Sequence, residues 1–120
     1  MGQLQGIARF TFHEGAVEEF KRLSAECMEI VRAKDTGTLQ YDTYFNEDES
    51  QAIVLERFRD SESLVQHGQN LAHLMEGIMA TATIHGELLG DPSDELRANL
   101  SPDGPVRLFL PYVLLDSSSR

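Results

Sequence analysis

The sequence predicts one α+β domain with the element order β-α-β-β-α-β, to which a short helix and one more strand are appended. Three observations carry that expectation. Stretches of alternating apolar and polar residues flank two longer stretches whose apolar residues recur at helical spacing. Turn and cap residues mark the changes of period. The 120 residues, 41% hydrophobic and 25% charged, can fill one core and leave no room for a second domain of ordinary size.

The first strand spans Leu4 to Phe12, with Leu4, Gly6, Ala8, Phe10 and Phe12 on one face. His13-Glu14-Gly15 turns the chain into a helix from about Ala16 to Lys34. Val17, Phe20, Leu23, Cys27, Ile30 and Val31 form its apolar stripe, and a charged face is left to solvent. Cys27 on that stripe reads as an inert core thiol. Asp35-Thr36-Gly37 ends the helix, with the glycine just past its last turn. Thr38 to Asn46 alternates Leu39, Tyr41, Thr43 and Phe45 against Gln40, Asp42, Tyr44 and Asn46. A polar hairpin loop leads to a third strand from Gln51 to Arg59.

Asp60-Ser61-Glu62 supplies a cap and an acidic first turn for a second helix running to about Ile78. Gly68 interrupts its pattern, so a bend or split is expected there. The β-branched run within Met79 to Leu89 reads as the fourth strand. Asp91 as cap, Pro92 as first residue and the acids Asp94 and Glu95 open a short helix. Pro105 to Leu115 is extended, and Pro111 assigns it to a sheet edge. The domain is expected over 1–115, with 116–120 as a flexible tail.

This order is the ferredoxin-like arrangement, four antiparallel strands with two helices on one face. A solvated second face would be polar, yet the middle strands carry apolar or aromatic residues on both sides. Tyr41 and Phe45 oppose Tyr44, and Leu55 opposes Val54. A second copy of the chain is the simplest cover, so a homodimer is expected.

Charge and motifs narrow the function. Twenty acidic residues against ten basic give a net charge of -10, a poor match for nucleic acid or an anionic membrane. No apolar run approaches the ~20 residues of a membrane span. The N-terminus lacks the pattern of a signal peptide, and Cys27 is the only cysteine, so a cytoplasmic location is expected. C-x-x-C, H-E-x-x-H, G-x-S-x-G and G-x-x-x-x-G-K-[ST] patterns do not occur, so no metal and no cofactor are expected.

The middle of the chain resembles the antibiotic biosynthesis monooxygenase family. The resemblance rests on Gly37-Thr38-Leu39-Gln40-Tyr41, Val54-Leu55-Glu56-Arg57-Phe58-Arg59-Asp60 and Ser63-Leu64-Val65-Gln66-His67, and covers roughly Gly6 to Leu88. Glu56, Asp60 and His67 are its most telling points. It implies a dimeric α/β barrel in which two ferredoxin-like sheets face one another. It also implies activities that include cofactor-free oxygenation of polycyclic phenols and quinols, haem degradation and isomerisation. Phe58 stands where the family usually has Trp, which makes haem degradation the weaker expectation.

Within that frame His67 is the candidate base, with Glu56 to fix its tautomer. The competing role for His67 is to cap a bend at Gly68, or to bond Glu56 and so orient the helix. Asn70 or Arg57 is a candidate to hold an oxyanion. Tyr41, Tyr44, Phe45 and Phe58 could line a pocket for a flat aromatic ligand, or could simply be core. His73 shares a face with Asn70, but converges with His67 only if the helix breaks at Gly68. The leading expectation is a cofactor-independent monooxygenase of a quinol or polyphenol. The alternatives are a non-catalytic dimer binding a small apolar ligand and a cofactor-free isomerase.

Overall fold

A computed structural model describes residues 2–115. The elements are β1 (Leu4–Phe12), α1 (Val17–Lys34), β2 (Thr38–Phe45), β3 (Gln51–Phe58), α2 (Ser61–Met79), β4 (Ala82–Leu89), α3 (Asp94–Ala98) and β5 (Val106–Phe109). They form one five-stranded sheet in the order β2-β3-β1-β4-β5. The first four strands pair antiparallel, and β5 joins the edge of β4 in parallel. The ferredoxin-like α+β architecture is therefore present, with one extra edge strand. The tail expected at 116–120 lies outside the described residues.

Both long helices cover one face of the sheet. Phe20, Leu23, Cys27 and Val31 of α1 and Leu71 and Ile78 of α2 meet Phe10, Ala52, Val54 and Ala82 in the main core. Phe10, Phe12, Phe20 and Phe45 pack as a ring cluster, with centroids 4.8–6.2 Å apart. A smaller core of Leu4, Leu88 and Leu96 anchors α3, supported by Leu64, Val65, Leu100 and Leu108. Among the described residues no helix covers the other face of the sheet. Ile7, Ile53, Leu55 and Leu89 lie there half-buried, beside the exposed Tyr44 and a 3.3 Å ion pair between Arg9 and Glu87.

Several local expectations change. Helix α2 runs unbroken through Gly68 to Met79. A glycine inside a helix costs only about 1 kcal/mol relative to alanine, and the buried His67 and Leu71 on either side outweigh it. The segment Met79–Thr81 is thus helix end and turn, and the fourth strand starts at Ala82. Thr81 donates its hydroxyl to the Ile78 carbonyl at 2.6 Å, which closes the helix before the β-branched run begins.

Helix α3 is capped by Ser93, whose Oγ accepts from the Leu96 amide at 3.2 Å, so Asp91 and Pro92 stand outside it. Between Thr38 and Gln40 the β2–β3 register shifts, which turns Leu39 outward to 46% exposure instead of into the core. Gly37 is needed for a reason other than helix termination. A Cβ there would overlap the Ser63 side chain, so it lets the start of β2 press against the start of α2.

Candidate functional site

The site forms where the end of α1, the middle of α2 and the centre of the sheet converge. Asp35 follows the last turn of α1, and its amide still donates to the Val31 carbonyl at 3.1 Å. Its carboxylate turns inward to 1% exposure and collects three donors. His67 Nδ1 lies at 2.7 Å, Asn70 Nδ2 at 2.8 Å and Thr38 Oγ1 at 2.6 Å. A carboxylate offers no proton, so His67 donates from Nδ1.

His67 is placed by α2, whose first turn is fixed by Asp60. The Asp60 carboxylate accepts from the Ser63 amide at 2.8 Å and the Ser63 hydroxyl at 2.7 Å. Asp60, one of the three telling positions of the resemblance, is thus a helix cap that sets the angle of the helix carrying His67. The imidazole is buried, with Tyr41 edge-on and Phe58 tilted, each ring centroid 5.1 Å away.

Glu56 stands at the centre of β3, opposite Gly6 of β1 and Tyr41 of β2. Its Oε2 lies 3.7 Å from His67 Nε2. Gly6 makes room for this carboxylate: a Cβ there would come within 3.1 Å of Glu56 Oε1. One imidazole therefore has a carboxylate at each nitrogen, one hydrogen-bonded and one just beyond hydrogen-bond length.

The charges respond accordingly. Burial works against the His67 cation, but Glu56 and Asp35 outweigh it and hold the pKa above the ordinary histidine value. Burial likewise opposes ionisation of Asp35, yet Thr38, Asn70 and His67 together pull its pKa below the usual carboxylate range. Burial drives the Tyr41 phenol upward, with the Cys27 thiol and Glu56 adding to the shift, so it stays protonated. Burial also raises the Cys27 thiol, as an inert core cysteine should behave.

Beside these groups lies a cavity of about 310 Å³ between the helices and the sheet. His67, Glu56, Tyr41 and Cys27 form part of its wall. Phe10, Phe20, Leu71, Met75, Ile78 and Ile84 make half of the rest. Its size falls at the lower end of small-ligand sites, and a few polar groups in an apolar shell are what such sites use to orient a ligand.

Of the residues singled out in the sequence, the fold brings His67, Glu56 and Tyr41 together on the cavity wall. Phe58 backs the His67 ring from within the core and is fully buried. Asn70 spends its amide on Asp35 and does not line the cavity. Arg57 alternates to the far side of β3, Tyr44 is exposed on the open face, and His73 is exposed on the unbroken helix. Asp35 and Thr38 were missed. An Asp-Thr-Gly after a helix reads as a stop signal, and nothing local marks a partner on another helix. Among the described residues no group of three or more His, Cys, Asp or Glu is arranged to hold a metal ion. Asp35 and Glu56 approach opposite edges of one ring. No helix among them is long and apolar enough to cross a membrane.

Fold and site together define a small α+β protein with a largely apolar chamber, on whose wall one imidazole stands between two carboxylates. The profile of the antibiotic biosynthesis monooxygenase family matches residues 6–74, and the chain belongs to that family. The structure is similar to that of MupZ from Pseudomonas fluorescens, with 24% identity and a TM-score of 0.82 over 100% of this chain and 98% of that one. It is also similar to Rv0793 from Mycobacterium tuberculosis, with 24% identity and a TM-score of 0.66 over 78% of this chain and 97% of that one. SnoaB, a cofactor-independent oxygenase from Streptomyces nogalater, matches with 16% identity and a TM-score of 0.64 over 73% of this chain and 91% of that one. The MupZ match spans the whole chain and so includes the appended α3 and β5. Curated proteins gave no match.

Proposed function

We propose that this protein is a cofactor-independent monooxygenase acting on a quinol or polyphenol held in the cavity between the helices and the sheet. The observation that carries the reading is the His67 imidazole, gripped by Asp35 at 2.7 Å and facing Glu56 at 3.7 Å on the wall of an apolar chamber. Family membership supports it, as does the likeness to SnoaB, itself described as a cofactor-independent oxygenase. Tyr41 and the surrounding apolar side chains would bracket a flat ring, with Phe58 stiffening His67 from behind.

The chemistry needs little beyond a base and a dry enclosure. The phenolic proton leaves to the His67–Glu56 pair, and the electron-rich ring gives an electron pair to O₂, forming a C–O bond. The peroxide takes up a proton. Loss of the ring hydrogen and cleavage of the O–O bond then release water and leave a carbonyl. One oxygen atom enters the product, the other leaves as water, and the substrate supplies both electrons. The protein would work in the cytoplasm, as a homodimer closed over the open faces of the two sheets.

Oxygen uptake with a panel of quinols tests the reading. Uptake that needs His67 supports it; binding of the same quinols with no uptake would move the protein to a ligand-binding role. Because the acid–base pair stands without any oxygen-specific feature, an isomerase is the second reading. Conversion of a substrate in the absence of O₂ would select it.

A further inference from the structure

We propose that the resting site keeps a proton on both nitrogens of His67, and that Glu56 is the group that accepts the proton of a neutral, hydroxyl-bearing ligand. The inference deepens the reading above, and rests on its cavity but not on oxygen chemistry.

The geometry argues first. Nδ1 must carry a proton, because its 2.7 Å partner, the Asp35 carboxylate, can only accept. If Nε2 were bare, its lone pair would face the Glu56 carboxylate at 3.7 Å, negative toward negative, in a wall that is mostly apolar, with only the neutral Ser24, Cys27, Tyr41 and Thr43 beside them. Protonating Nε2 makes both contacts attractive. Tyr41, facing the ring from β2, and Cys27, from α1, stay neutral and do not alter this balance.

The charge inside the enclosure argues second. With His67 as a cation between two carboxylates, the centre carries one net negative charge. Among the described residues no Lys or Arg lines the cavity to offset more. A ligand entering as an anion would double that charge in apolar surroundings, so a neutral ligand is favoured. When its O–H bond breaks, the electron pair stays on the ligand oxygen and the proton goes to Glu56. Glu56 becomes a neutral acid, the oxyanion meets the Nε2–H of His67, and the net charge is unchanged. Were His67 neutral and the acceptor, the new oxyanion would form beside an ionised Glu56.

The test uses the full chain with ¹⁵N-labelled histidine and follows the His67 ring by NMR through pH 5–9. Both ring nitrogens should be protonated at pH 7, and Glu56→Gln, which preserves shape, should lower the midpoint by about one pH unit or more. Binding of 2-naphthol should exceed that of 2-naphthoate by roughly tenfold or more at pH 7, and Glu56→Gln should narrow the gap. A ring with one protonated nitrogen at pH 7, or an unshifted midpoint in Glu56→Gln, overturns the assignment. So does naphthoate binding as tightly as naphthol. None of these readouts needs turnover: if oxygen uptake fails while they hold, the oxygenase reading falls and the assignment stands.

Discussion

The Asp35 carboxylate receives the Nδ1–H of His67 at 2.7 Å across 32 residues of sequence, tying the end of α1 to the middle of α2. This bond fixes the imidazole before any ligand arrives. It leaves Nε2 as the nitrogen directed at Glu56 and the cavity. Asn70 and Thr38 complete the grip on Asp35, so the carboxylate is held from α2 and β2 at once. The same contacts join the two helices and decide which ring nitrogen faces the cavity.

Removing that carboxylate should be expensive. Asp35→Ala strands three donors and leaves His67 with Glu56 alone; breaking a buried pair in this way costs roughly 3–5 kcal/mol. Asp35→Asn, which retains an acceptor, should cost clearly less. Urea unfolding of both variants checks the order. A loss below about 1 kcal/mol in Asp35→Ala would mean that the Asp35 contacts contribute little to stability.

Stability should also depend on pH in a defined direction. His67 is raised above 6.5 in the folded chain, so its contribution is complete below 6.5 and is lost as pH rises through the folded value. Asp35 is lowered below 3.8, so its contribution is present above 3.8 and is lost as pH falls through the folded value. Together they stabilise most between these limits. The melting temperature of the wild type should fall as pH rises above 6.5, and Asp35→Asn should flatten that fall. An equally steep decline in both would assign it to other groups.

The open sheet face yields the next prediction. Ile7, Ile53, Leu55 and Leu89 are only half-covered there, and the segment after β5 leaves Tyr112, Val113, Leu114 and Leu115 at least 75% exposed. Such apolar surface is expected to meet a second copy. Sedimentation at micromolar concentration should show a dimer, and deleting the residues after Pro105 should weaken it. A stable monomer at that concentration overturns the expectation. A truncated chain of unchanged dimer affinity confines β5 and its extension to their own subunit.

Much of this fold could be read from sequence because its signals are local. The alternation in Leu4–Phe12, the 3.6-residue stripe from Phe20 to Val31 and the Asp60 cap each declare an element within a few residues. The site was readable only in part. Glu56 and His67 stand on adjacent elements, and their pairing could be anticipated. Asp35 reaches His67 through tertiary packing, and its local context is that of a helix stop. Leu39 turned outward because the register shift between Thr38 and Gln40 breaks the strict alternation, and such a shift leaves no mark in a hydrophobic pattern. Gly68 looked like a hinge because intrinsic propensity counts against it, but packing on both sides decides.

The two histidines of α2 provide the sharpest test of the site. His67 is buried, bonds Asp35, faces Glu56 and lines the cavity, whereas His73 is exposed on the same unbroken helix. If the chain turns over a quinol, His67→Ala should lower the rate by ~100-fold to ~10,000-fold, the usual worth of a positioned acid–base group. His73→Ala should leave it nearly unchanged. His67→Ala also empties the space between Tyr41 and Phe58, so a slow variant could simply be a loosened one. His67→Gln, which keeps a polar side chain there, should be about as slow as His67→Ala while recovering stability. Rates are therefore to be compared at equal melting temperature or well below either transition. Equal activity of the His67 and His73 variants would remove His67 from the chemistry and leave its hydrogen bond to Asp35 a structural role.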